Sequence, residues 1–108
     1  MNRSLFVPDW RDQVVFSSQG PQPQVLHDDG RIKVVVVALE PGGQIPVHPA
    51  EAGVYHFLEG TGQMHVGEEC FDLQAGSTVV VPDGRPRGIS ARDRLAFIAV
   101  RVAGIGRD

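Results

Sequence analysis

The chain has 108 residues, 42% of them hydrophobic, with 13 glycines, 8 prolines and a formal net charge of −3. That length holds one hydrophobic core and not two, and the acidic balance excludes a general nucleic-acid binder, which needs basic surface to neutralise phosphates. Cys70 is the single cysteine, so no internal disulfide forms and no oxidising compartment is implied.

In chain order, the segment 1–24 is irregular and holds the sole tryptophan, Trp10. It reads as an N-terminal arm with one or two edge strands, Gln13–Phe16 among them. Its apolar run Leu5-Phe6-Val7 is too short for a signal-peptide core. The longest apolar stretch, Val34–Leu39, falls far below the ~20 residues that span a bilayer. A cytoplasmic protein with no membrane partner is therefore expected. Residues 25–108 read as a single barrel domain. Its strand-like runs are Gln24–His27 (shared with the end of the arm), Ile32–Leu39, Val54–Leu58, Gln63–Val66, Glu69–Leu73, Thr78–Val81 and Leu95–Val102. They are rich in Val, Ile and Phe, and turn clusters such as Asp28-Asp29-Gly30, Pro41-Gly42-Gly43 and Pro82-Asp83-Gly84 separate them. No long window keeps helical spacing of apolar residues without an interrupting glycine or proline. Short, punctuated strands predict an all-β antiparallel sandwich or barrel. The nearly unbroken runs Val34–Leu39 and Leu95–Val102 predict burial on both faces, one against the interior and one against another sheet or a second subunit.

Two segments carry a more specific signal. In the first, Gly42 is followed by five residues and His48, and Gly60 closes the segment after an apolar strand. In the second, Gly76 is followed by five residues, Pro82, one residue and Gly84. Pro82 ends a strand, and Gly84 suits a turn that needs positive φ. The spacing resembles the two signature motifs of the cupin superfamily, in its small single-domain, RmlC-like form. The resemblance implies a double-stranded β-helix, a jelly-roll barrel of two antiparallel sheets. It also implies a metal ion in the barrel, held by two histidines and a glutamate from the first motif and a histidine from the second. Here His48 keeps the first position, but Ala50 stands at the second histidine, Gly53 or Val54 at the glutamate, and Arg87 at the last histidine. A standard metal centre is not expected from this degenerate motif, and no cofactor is expected with it. The alternative is a divalent metal (iron, manganese, nickel or zinc) on a rearranged set of His48, His56 and Glu51.

Residues two apart on a strand share a face. Val54, His56 and Leu58 are expected to face the cavity, leaving Tyr55, Phe57 and Glu59 outside. The candidate ligand site is then His48, His56 and Arg87, lined by Val54, Leu58, Val79 and Val81. A guanidinium facing inward suits a bidentate contact with a carboxylate; the alternative is a surface arginine, turned outward or paired with Glu51 or Asp83. His56 is equally readable as a hydrogen-bonded wall residue, and Cys70 as a small packing residue. The function expected is a small-molecule-binding barrel, its ligand an anion if Arg87 faces inward. The alternative is a metal-dependent dioxygenase, isomerase or cyclase on the His48 and His56 set. Catalytic residues stay unassigned, and the sequence leaves open whether the protein is an enzyme. Unpaired sheet edges and doubly apolar strands predict a homodimer.

Overall fold

The computed structural model describes residues 4–103. The first three residues of the expected arm and the last five of the expected barrel, 104–108, lie outside the described residues. Nine strands form among the described residues: β1 (Gln24–Asp28), β2 (Ile32–Leu39), β3 (Gln44–His48), β4 (Ala52–Glu59), β5 (Gly62–Val66), β6 (Glu69–Leu73), β7 (Thr78–Val81), β8 (Arg87–Ala91) and β9 (Leu95–Val102). They make a five-stranded sheet, β1-β2-β9-β4-β7, and a four-stranded sheet, β3-β8-β5-β6. Every pairing is antiparallel. This is the all-β, two-sheet jelly roll that the resemblance implies. No helix among the described residues is long and apolar enough to cross a membrane.

The core lies between the two sheets. Phe57, Met64, Leu73, Val81, Leu95 and Phe97 are buried in one cluster, and the Phe57 and Phe97 rings meet at 5.2 Å between centroids. Full burial of side chains of this size contributes about 1.5–3 kcal/mol each. Strands β2 and β9 pair in unbroken register from Ile32↔Val102 to Leu39↔Leu95, which places both apolar runs at the centre of the larger sheet. The outer face of β2 meets the arm: Leu5, Val7 and Trp10 border a groove of about 740 Å³ with Val36, Leu58 and Ile98. Gly60 closes the first motif for a steric reason. Its φ is +89°, and a Cβ there would overlap the carbonyl of Arg94.

Several expectations need correction. Gln13–Phe16 forms no strand, and among the described residues of the arm before β1 the regular structure is a 3-10 turn at Trp10–Asp12; Phe16 instead lies against the Arg94 guanidinium, 4.0 Å away. Strands β3 and β8 are missing from the strand-like runs because Pro46 interrupts one and Gly88 the other. The two pair with each other, and β3 is an edge strand, where a proline is tolerated. The largest correction concerns β4. Phe57 is 0% exposed and Tyr55 buried, while Val54 is 39% exposed. Gly53, Tyr55 and Phe57 therefore face the interior, and Val54, His56 and Leu58 face outward. Two aromatic rings fill far more interior volume than Val and Leu would, and that preference sets the direction of the strand.

Candidate functional site

One end of the interior holds a cavity of about 240 Å³. Its apolar wall includes Val35, Val37, Ile89 and Phe97; its polar groups are His48, Tyr55, Arg87 and Arg101. Pro21 and Pro23, at the end of the arm, border it.

Arg87 begins β8 and is 1% exposed. A buried charge is costly unless its hydrogen-bonding groups are met, and here all of them are. Nε donates to the carbonyl of Arg85 at 3.0 Å. One terminal nitrogen donates to the carbonyl of Glu51 at 2.7 Å and to the Tyr55 oxygen at 3.2 Å. The other donates to the carbonyls of Ala50 at 2.8 Å and Pro82 at 3.3 Å. These five bonds match the five N–H groups a guanidinium owns. They tie the β3–β4 connection, in the first motif, to the β7–β8 turn, in the second. The N–H of Gly84 adds a further tie to the Ala50 carbonyl at 2.8 Å, with Gly84 at φ +79° as the turn requires.

The expectation that Arg87 fixes a ligand's charge meets this geometry directly: the guanidinium faces inward, but its donors are already engaged, four of them by backbone. The reading of Arg87 as turned outward into solvent fails as well. Its neighbours in sequence are the solvated ones, Arg85 lying 3.6 Å from Glu69 and Arg94 2.9 Å from Glu40.

The metal positions do not fit a metal. Counting back from Gly60 over β4, the inward-facing residue at the glutamate position is Gly53, and it brings no ligand. A Cβ built there would stand 3.3 Å from the nearer terminal nitrogen of Arg87 and 3.2 Å from the Tyr55 ring. The space beside Gly53 thus borders a fixed cation, which repels a second one. The rearranged set is also broken. His48 pairs with Arg87 across β3 and β8, whereas His56 lies on the outer face of the other sheet, hydrogen-bonded to Thr78 Oγ1 at 2.7 Å. No group of three or more His, Cys, Asp or Glu able to hold a metal occurs among the described residues.

His48 reaches the cavity through a bulge. The pairing of β3 with β8 shifts between Ile45 and His48, and the extra residue lets both border the cavity, His48 from its exposed rim. Its Nδ1–H donates to the carbonyl of Pro46 at 2.9 Å, leaving Nε2 without a partner among the described residues. Of the expected lining, Val79 and Val81 pack on or within the core cluster without bordering the cavity, and Val54 and Leu58 lie outside it. Cys70, expected to pack, is exposed.

Two polar residues of the cavity escape the sequence reading, Tyr55 and Arg101. The six-residue spacing from Gly53 to Gly60 is the available signal for Tyr55, because it fixes which face of β4 is inward. Arg101 alternates in phase with Phe97 and Ala99 along β9. It sits between Gly53 on β4 and Lys33 on β2. Its Nε is buried and has no hydrogen-bond partner among the described residues.

A family model described as Cupin domain matches residues 35–101, more than half of the chain and all of both motif segments. No curated protein sequence matches. Among solved structures, a conserved protein of unknown function from Streptococcus pyogenes is similar over 95% of this chain and 91% of its own, with TM-score 0.83 and 20% identity. The protein TT1209 from Thermus thermophilus is similar over 89% of this chain and 95% of its own, with TM-score 0.82 and 25% identity. An RmlC-like cupin from Shewanella frigidimarina covers 81% of this chain and 79% of its own, with TM-score 0.73 and 20% identity. These likenesses concern the fold.

Proposed function

This chain belongs to the cupin family, and from that premise we propose that it is a ligand-binding cupin whose barrel receives a small organic molecule without a metal centre. The observation that carries the reading is the 240 Å³ cavity, apolar along its walls with a few polar groups at one end, the usual character of a small-molecule site. Its volume lies below the ~300–1,000 Å³ of pockets that take drug-sized ligands, which favours a compact ligand. Arg87 contributes by holding both motif turns in place around the cavity.

Ligand-observed NMR with a panel of small aliphatic and aromatic compounds tests this. Some should bind the wild type, and Ala99→Leu, which fills the cavity from β9, should abolish their binding while preserving the folded spectrum. Binding unchanged in Ala99→Leu would place the ligand elsewhere and defeat the reading.

The same reading includes a homodimer in the cytoplasm. The outer face of the larger sheet supports the dimer: Val80, Val54, Val100 and Val34 lie in register across β7, β4, β9 and β2, and Val80 is 71% exposed. The exposed thiol of Cys70 suits a reducing compartment. Sedimentation velocity at micromolar concentration separates dimer from monomer, and Val80→Lys should shift the balance toward monomer.

A further inference from the structure

We infer that the ligand of this cavity is a small monocarboxylic acid with an apolar body, and that Arg101 receives its carboxylate. The inference rests on the proposed reading of the cavity as a binding site and names the chemistry of the ligand.

Two arginines line the cavity, and no aspartate or glutamate does among the described residues. Lys33 adds a third cation beside Arg101, as its cross-strand partner on β2. This end of the interior therefore has a positive field without a lining carboxylate to balance it. The two arginines differ in what they can offer. Arg87 donates all five of its N–H groups to chain oxygens. Arg101 makes no ion pair or hydrogen bond within the described residues, and its Nε is shut away from solvent without an acceptor. A buried donor of this kind is unfavourable until something accepts from it. A planar carboxylate matches the guanidinium fork bidentately.

Tyr55 supplies a second donor. Its oxygen accepts from Arg87, so the hydroxyl proton is left to donate into the cavity that Tyr55 lines. An acid held at this end would lay its apolar body against Val35, Val37, Ile89 and Phe97. The small volume and apolar wall favour one charged group and no second one, which selects a monocarboxylate over a phosphate ester or a diacid.

The test is a titration of the full chain at low salt, followed by 1H–15N NMR. The probes are butyrate and benzoate, their neutral amides, and methyl phosphate. The acids should bind on the order of ten-fold tighter than the matching amides, as expected for a charge-assisted pair. Arg101→Gln should remove that preference, and a dispersed 1H–15N spectrum of the variant reports that it is folded. Arg101→Lys should retain part of the preference, since it keeps charge but loses the fork. Amides binding as tightly as acids, or an acid preference that survives Arg101→Gln, would overturn the inference while leaving the cavity reading intact. Methyl phosphate binding more tightly than either acid would overturn the ligand class. Failure of acids and amides alike to bind would remove both the inference and the reading beneath it.

Discussion

Arg87 and Arg101 enter the same end of the barrel from facing sheets, and their guanidinium groups are wired in opposite ways. On the four-stranded sheet, Arg87 reaches four backbone carbonyls and one phenolic oxygen, and its charge also lies 5.9 Å from the centre of the Tyr55 ring. On the five-stranded sheet, Arg101 has a buried Nε with nothing to bond among the described residues. The supply of backbone acceptors explains why one site is saturated and the other is not. Arg87 stands where two turns converge, so carbonyls freed by irregular backbone are at hand; Arg101 lies inside a regular ladder whose carbonyls are already engaged by neighbouring strands. A buried cation at a turn becomes structure, and a half-buried one on a ladder keeps a donor for something else.

Removing the Arg87 side chain should produce the largest effect. Arg87→Ala leaves several buried carbonyls unmet and unties the two motif turns, so a loss of about 3–5 kcal/mol is expected, the scale for breaking a buried ionic group from its partners. Urea denaturation measures it. Arg87→Lys should recover only part, because an ammonium cannot serve acceptors spread around a planar fork. A variant within ~0.5 kcal/mol of wild type, the range of ordinary surface substitutions, would show that the clip holds nothing together.

Tyr55→Phe sharpens the comparison at one bond. It deletes the 3.2 Å contact to Arg87 but keeps the ring beneath the guanidinium, so a loss of about 1 kcal/mol is expected. The same denaturation series reads it. A loss as large as that of Arg87→Ala would mean that the tyrosine, and not the carbonyls, secures the arginine.

Arg101→Leu should run the other way. The substitution removes an unmet buried donor and keeps apolar contact, so stability should be unchanged or higher by up to ~1 kcal/mol. A loss comparable to that of Arg87→Ala would erase the distinction between the two residues.

How much of this is legible in the sequence follows the same division. Strands such as Ile32–Leu39, Glu69–Leu73, Thr78–Val81 and Leu95–Val102 can be read with their observed bounds, because β-branched runs between turn residues leave little choice. The motif glycines are legible for steric reasons, as Gly60 and Gly84 demonstrate. The strands that carry His48 and Arg87 are not, since Pro46 and Gly88 break the apolar pattern and only the pairing of β3 with β8 makes them strands. The inward face of β4 is misread because Val54 and Leu58 look like core by composition, while packing favours the larger Tyr55 and Phe57. Partners of a buried arginine are backbone oxygens from distant turns, and no side-chain pattern announces them. The sequence can show that Arg87 replaces a ligand; it cannot show that the replacement is already satisfied.

The smallest effect should come from a charge held by backbone at the surface, which is the Arg87 arrangement with the sign reversed and solvent admitted. At the β1–β2 turn, Asp29 accepts from the N–H groups of Ile32 and Arg31, each at 2.8 Å, and lies 3.1 Å from the His27 ring. Those contacts, led by the Ile32 and Arg31 amides, hold its carboxyl well below the usual carboxylate range. Because the folded pKa is depressed, the stabilisation is fully present above the ordinary value of about 3.9 and is lost as pH falls through the folded value. Asp29→Asn keeps an acceptor oxygen for the two amides and removes the charge. Its melting temperature should therefore lie slightly below that of wild type at pH 5–8, and the gap should narrow progressively as pH falls below about 4. Thermal melts of both proteins across that range decide it. A gap that stays constant down to pH 2 would mean that the turn is held by the shape of the side chain, and that its charge contributes nothing.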